Sequence, residues 1–222
     1  IGDMTPNDAS GCPTVSITNH VPDPAALAQV FADENCFSFQ EMFPGGFTPQ
    51  FGGDLEDIAA TAGIKGVAGG RLNWDASVGY GQNRVDFFIR NTVNASYGPD
   101  TPTEFDPGSY IQEELTVNFD VSYPISESVN LAAGAEYRDE TFEIEAGQVE
   151  SWQFGPLAPQ GFSAASNGFP GFSDAIAGDW SRNNYAVYGD VEWRPIDRWV
   201  IDAALRWEDF EDFGTTTNGK IA

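Results

Sequence analysis

From Tyr110 to Tyr123 apolar and polar side chains alternate. Ile111, Leu115, Val117, Phe119, Val121 and Tyr123 fall on one face, and Gln112, Glu114, Thr116, Asn118, Asp120 and Ser122 on the other. A period of two is the repeat of a strand, because successive side chains point to opposite sides of a pleated backbone. The pattern recurs with Val129, Leu131, Ala133, Ala135 and Tyr137 opposite Asn130, Ala132, Gly134, Glu136 and Arg138. Downstream, Tyr185, Val187, Val191 and Trp193 oppose Asn184, Asp190, Glu192 and Arg194, and Trp199, Ile201, Ala203, Leu205 and Trp207 oppose Asp202, Arg206 and Glu208. Upstream, Leu72, Trp74, Ala76, Val78 and Tyr80 oppose Asn73, Asp75, Ser77 and Gly79. Strands with so apolar a face must bury it in something.

The connections differ sharply in length. Tight turns are predicted at Ala68-Gly69-Gly70, at Ile125-Ser126-Glu127-Ser128 and at Pro195-Ile196-Asp197-Arg198, and long loops over 1–54, near 95–108 and over about 147–182. Short turns on one side and large loops on the other are the layout of an outer-membrane barrel. Strands of about ten residues or more fit a tilted membrane crossing better than the five or six usual in a globular sheet. Aromatic residues add to this: Trp193, Trp199 and Tyr123 lie at the tight-turn ends, and Tyr137, Tyr185 and Trp207 toward the long loops, as in the girdles at the two bilayer interfaces. The competing origin of that pattern is cross-strand aromatic pairing in a soluble sheet. The expected fold is therefore all-β: a section of an antiparallel, up-and-down transmembrane β-barrel with about six long strands, short periplasmic turns and long extracellular loops. Residues 55–222 supply the strands, and residues 1–54 form a long extracellular loop punctuated by Pro6, Pro13, Pro22, Pro24, Pro44 and Pro49. Within it one helix is predicted from Asp23 to Ala32, with Asp23 as cap and Pro24 at the first helical position.

Charge narrows the partners. Lys and Arg number 10 against 34 Asp and Glu, a net charge of -24. That excess repels phosphate backbones, so nucleic acid is not an expected partner, and it opposes docking on anionic lipid surfaces. No run approaches the roughly 18 consecutive apolar residues of a membrane helix, so any contact with lipid is made by strands. The only cysteines, Cys12 and Cys36, read as a disulfide stapling the first loop in an oxidising compartment; two unpaired thiols are the alternative. With a single histidine they cannot make a zinc or iron–sulfur site, and no metal ligand set is expected.

Catalytic chemistry finds little footing. His20 stands in a Pro-rich loop with no nucleophile motif beside it. The adjacent carboxylates Glu113-Glu114 and Asp139-Glu140 lie on strands, where neighbours face opposite sides and cannot share a proton. Asp209, Glu211 and Asp212, and Asp54, Glu56 and Asp57, lack the spacing of a calcium loop and read as solvated acidic segments. No cofactor is expected, with surface calcium as the one candidate ion. Asn94-Ala95-Ser96 matches a glycosylation sequon and is read as chance.

Several runs resemble the barrel of TonB-dependent outer-membrane receptors. They are Phe43-Pro44-Gly45-Gly46-Phe47-Thr48-Pro49-Gln50-Phe51-Gly52-Gly53, the stretch from Asn91 to Thr103, and Gly134-Ala135-Glu136-Tyr137-Arg138-Asp139-Glu140. More specific are Gly168-Phe169-Pro170-Gly171-Phe172 and the stretch from Arg206 to Lys220. The resemblance spans nearly the whole chain from about Cys36. It implies a barrel of about 22 strands around an N-terminal plug, importing a scarce nutrient (siderophore, cobalamin or glycan) with energy passed by TonB. No plug sequence precedes Ile1 and no TonB-contacting segment is visible, so the chain is expected to be one section of a longer receptor, meeting outer-membrane lipid directly and TonB through parts elsewhere.

The candidate ligand contacts are then the loop aromatics Trp152, Phe154, Phe162, Phe169, Phe172 and Trp180, with Arg138 and Arg206 among polar residues lining the route. The competing reading is that these rings pack the loops against themselves. Two other functions remain open at this level. A receptor fragment could self-assemble through its sheet edges into a filament, and a secreted β-rich module could bind carbohydrate.

Overall fold

The computed structural model describes residues 1–9 and 11–222. Four two-residue strands, β1 (Gly2–Asp3), β2 (Ile17–Thr18), β3 (Val21–Pro22) and β4 (Cys36–Phe37), and helices α1 (Pro24–Ala32) and α2 (Phe39–Met42) precede the long strands. These are β5 (Gln50–Ala68), β6 (Leu72–Arg90), β7 (Glu104–Ser126), β8 (Val129–Ala146), β9 (Gly178–Ile196), β10 (Trp199–Phe210) and β11 (Gly214–Ile221). They form one seven-stranded sheet in the order β11-β10-β9-β8-β7-β6-β5, each strand beside its sequence neighbour. The sheet is thus an antiparallel up-and-down meander, as the alternation predicts. β10 pairs β9 from Phe210 opposite Asn184 to Trp199 opposite Ile196, and pairs β11 from Phe210 opposite Gly214 to Ala203 opposite Ile221. Among the described residues no helix is long and apolar enough to cross a membrane, which says nothing of a β-barrel.

Local chemistry accounts for the boundaries. Asp23 caps α1 by accepting from the amides of Ala25 and Ala26 at 2.8 and 3.1 Å, and Pro24 opens the helix. α2, not foreseen from the sequence, opens with a capping box in which the Ser38 hydroxyl and the Glu41 carboxylate each take a backbone amide at the helix start. Gly69 and Gly70 both adopt positive φ, 59° and 77°, and the Arg71 amide bonds the Ala68 carbonyl across them. That is a two-residue turn whose twist matches the strands it joins.

Three boundaries depart from the sequence reading. β5 starts at Gln50 rather than Leu55, with Gly52-Gly53 inside it. A Cβ on Gly52 would fall 2.5 Å from the Phe88 ring and one on Gly53 2.8 Å from Val85, so these glycines admit neighbouring side chains rather than end the strand. β7 starts at Glu104, ahead of Pro107 and Gly108; the Pro107 carbonyl accepts from the Phe172 amide, so the expected breakers sit in bonded backbone. β9 starts at Gly178, which takes Trp180 out of the expected loop and into a strand. The two long connections are 91–103 and 147–177, whereas 211–213, on the same side of the meander, is a short turn.

The chain divides into two compact units. The first comprises Ile1–Asp54, Val85–Tyr110 and Ile144–Gly178. It has a true interior of Val30, Phe37, Ile89, Val93, Phe105, Leu157 and Phe172. Its polar keystone is Asn94, fully buried, whose amide donates to the carbonyls of Glu150 (2.7 Å) and Gln153 (2.9 Å) and whose Oδ1 accepts from the Ser96 hydroxyl and amide. The sequon is therefore occupied by structural bonding. Cys12 and Cys36 form a disulfide, their Cα atoms 5.6 Å apart.

The second unit comprises Leu55–Arg84, Ile111–Glu143 and Asp179–Ala222. It is almost wholly strand, and its large apolar side chains stay exposed on one face: Leu115 at 40%, Val117 at 44%, Phe119 at 49% and Leu205 at 59%. Trp193, Trp199, Tyr123, Tyr185 and Trp207 are exposed as well.

Candidate functional site

Each long strand of the second unit carries polar groups on the face opposite its apolar one, and these groups pair across strands. Glu136 is the centre. Its Oε1 lies 3.1 Å from Nη2 of Arg138 and 3.0 Å from Nη2 of Arg206, while Arg206 also reaches Glu208 at 3.0 Å. Glu114 stands 3.8 Å from Nε of Arg138. β7, β8 and β10 are thus tied by alternating charges, a fixed polar wall rather than a set of free cations. On the same face the Tyr188 hydroxyl donates to Asp120 at 2.6 Å and Asn83 donates to Asp57 at 2.7 Å.

The neighbouring carboxylates separate as strand geometry requires. Glu113 accepts from Tyr80 and Gln82, both at 2.7 Å, on the apolar side, while Glu114 turns to Arg138. Asp139 accepts from Tyr137, whereas Glu140 accepts from Arg182 at 2.6 Å. His20 is exposed at a positive φ of 65° between β2 and β3. Among the described residues no three histidine, cysteine or carboxylate side chains converge as metal ligands. Glu211 instead accepts from Asn183 at 2.6 Å, and Asp212 faces Arg182 at 3.8 Å.

The loop aromatics take different environments in the first unit. Phe169 and Phe172 join Phe51, Phe87 and Tyr110 in one cluster: Phe51 to Phe169 at 4.2 Å, Tyr110 stacked on Phe172 at 4.8 Å, and Phe87 edge-on to Tyr110 at 5.2 Å. Phe162 meets Phe39 edge-on at 6.1 Å. Trp152 donates its indole N–H to the Gly147 carbonyl at 3.1 Å. Phe154 is the ring that stays open, 75% exposed.

Trp180 belongs to the second unit. On β9 it lies near-parallel to Phe142 of β8, with interplanar angle 27° and centroids 6.3 Å apart. Gln112, Glu140, Phe142, Trp180, Arg182 and Asp212 line a hollow of about 480 Å³. Phe142 and Arg182 were not singled out from the sequence, although the signal was there: Trp180, Arg182 and Asn184 extend by two the polar-face register read from Asn184 onward.

No curated protein matches the sequence. Among solved structures, the chain resembles one described as "Structure of the RagAB peptide transporter", with 14% identity and a TM-score of 0.41, over 82% of this chain and 20% of that one. The chain therefore spans about a fifth of that transporter chain. The family model "TonB dependent receptor-like, beta-barrel" matches residues 37–221, all but the first 36 residues and the last one. An up-and-down sheet of long strands, apolar on one face and polar on the other, is what that barrel is built from, and the chain belongs to the TonB-dependent receptor-like β-barrel family.

Proposed function

We propose that this chain is the wall and outer loops of an outer-membrane receptor that takes up a scarce nutrient, the loops binding it and the polar strand face lining its route. The observation that carries this reading is the exposed apolar face of the second unit. Leu115, Val117 and Phe119 of the 23-residue β7 and Leu205 of the 12-residue β10 stay exposed, the arrangement lipid satisfies and water does not. On this reading the tight turns face the periplasm, and the connections 91–103 and 147–177, with the disulfide-stapled segment 1–54, face the exterior. No covalent step is involved. Transport energy would come from TonB acting on parts of the receptor outside this chain.

Labelling of neighbouring positions on β7 tests the orientation. Phe119→Cys and Asn118→Cys, each carrying a bimane in the receptor reconstituted into bilayers, should behave oppositely. Brominated lipid should quench the probe at 119 and spare the one at 118. Equal quenching at both positions, or at neither, would overturn the membrane reading and favour the secreted carbohydrate-binding module.

A further inference from the structure

We infer that the hollow beneath Phe142 and Trp180 is a saccharide subsite that takes a neutral, hydroxyl-rich ring; the inference rests on the receptor reading and names the cargo class at this wall. Its volume, about 480 Å³, falls within the ordinary range of small-molecule sites. Two features distinguish it from the buried heart of the five-ring cluster. Phe142 and Trp180 lie near-parallel and keep 37% and 52% of their surface exposed, whereas Phe172, at the heart of the five-ring cluster, keeps 8%. The pair forms an open shelf rather than a packed core.

The polar groups around the shelf are of mixed kind. Arg182 supplies donors, Glu140 and Asp212 supply acceptors, and the Gln112 amide supplies both. A sugar ring matches this combination, presenting a C–H face that an aromatic shelf desolvates and an edge of hydroxyls that each donate and accept. Charged ligands match it less well. Arg182 is held 2.6 Å from Glu140 and 3.8 Å from Asp212, so an anion would have to displace two carboxylates, and a cation would meet the guanidinium. Four elements supply the lining: β7, β8, β9 and the turn after β10. Three are long strands of one sheet, which holds the groups in place before a ligand arrives.

Titration calorimetry on the detergent-solubilised receptor, with a panel of neutral hexasaccharides (α-glucan, β-glucan, mannan, xylan and galactan), tests this. Pentalysine serves as a charged comparator. At least one hexasaccharide should bind, with Trp180→Ala weakening it about tenfold and Trp180→Phe restoring most of the loss. Asp212→Asn, on an exposed turn, should weaken the same ligand several-fold without disturbing the heat-dependent mobility shift of the folded barrel. The subsite is overturned if no hexasaccharide binds to a receptor that passes the bimane test, if Trp180→Ala leaves binding unchanged in folded protein, or if only pentalysine binding depends on Trp180. Trp180-dependent saccharide binding by a protein that fails the bimane test would leave the subsite standing and overturn the membrane reading alone.

Discussion

Asn94 shows how much one buried amide can organise. It closes two carbonyls of the 147–177 connection and orients Ser96, whose hydroxyl in turn receives the Gly155 amide at 2.8 Å. Asn94→Ala leaves the Glu150 and Gln153 carbonyls without these donors, and Asn94→Asp sets a carboxylate against them. Either substitution should cost about 2–3 kcal/mol, read as lost hydrogen-exchange protection at the Ser96 and Gly155 amides. The sequence hid this role, because Asn-Ala-Ser resembles a sugar-attachment site and nothing local marks it as buried. At Phe169 and Phe172 the sequence leaves both ligand contact and loop packing open. Their ring contacts with Phe51, Phe87 and Tyr110 depend on segments far apart in the chain. Glu113 and Glu114 were legible, since a period of two dictates that adjacent carboxylates part company.

At the scale of elements, the alternation gives each strand's kind but less than its full extent. Clean alternation stops at Gly52-Gly53 and at Pro107-Gly108, which the sequence alone assigns to loops. Both pairs weaken an isolated strand, yet both are retained where backbone or side chains of another segment approach closely. The tight turns carried a stronger signal. Gly69 and Gly70 hold positive φ, a conformation that costs other residues about 1–2 kcal/mol. Gly70→Val should therefore lower the urea midpoint for unfolding of the barrel by an amount equivalent to about 1–2 kcal/mol, while Glu127→Val in the β7–β8 turn, outside any positive-φ position, should change it far less.

At the scale of the molecule, the two compact units rest on different physics. The second keeps its apolar side chains outward. The first buries its own around Val30, Phe37 and Leu157 and adds a covalent staple. Cys12 and Cys36 are separated by 24 residues, a loop whose closure is worth about 3.5 kcal/mol in the chain-entropy account. Reduction of this bond should make the segment 1–54 sensitive to mild proteolysis, with cleavage sites mapped by mass spectrometry; unchanged resistance would show that Val30 and Phe37 hold the segment without it. On the proposed reading, lipid covers the exposed apolar face of the second unit.

The sequence by itself determined the class of fold, the direction of each strand's two faces, the tight turns and the first helix. All of these follow from local rules: side chains alternate along a strand, glycine alone adopts some turns cheaply, and aspartate caps amides within reach. Only the tertiary structure decided which aromatics are spent on packing, where strands start through their glycines, and that Phe142, Trp180 and Arg182 share one hollow with Glu140 and Asp212. Those outcomes depend on which distant segments come to lie side by side, and pairing between strands is set by the assembled sheet rather than by any one stretch of chain.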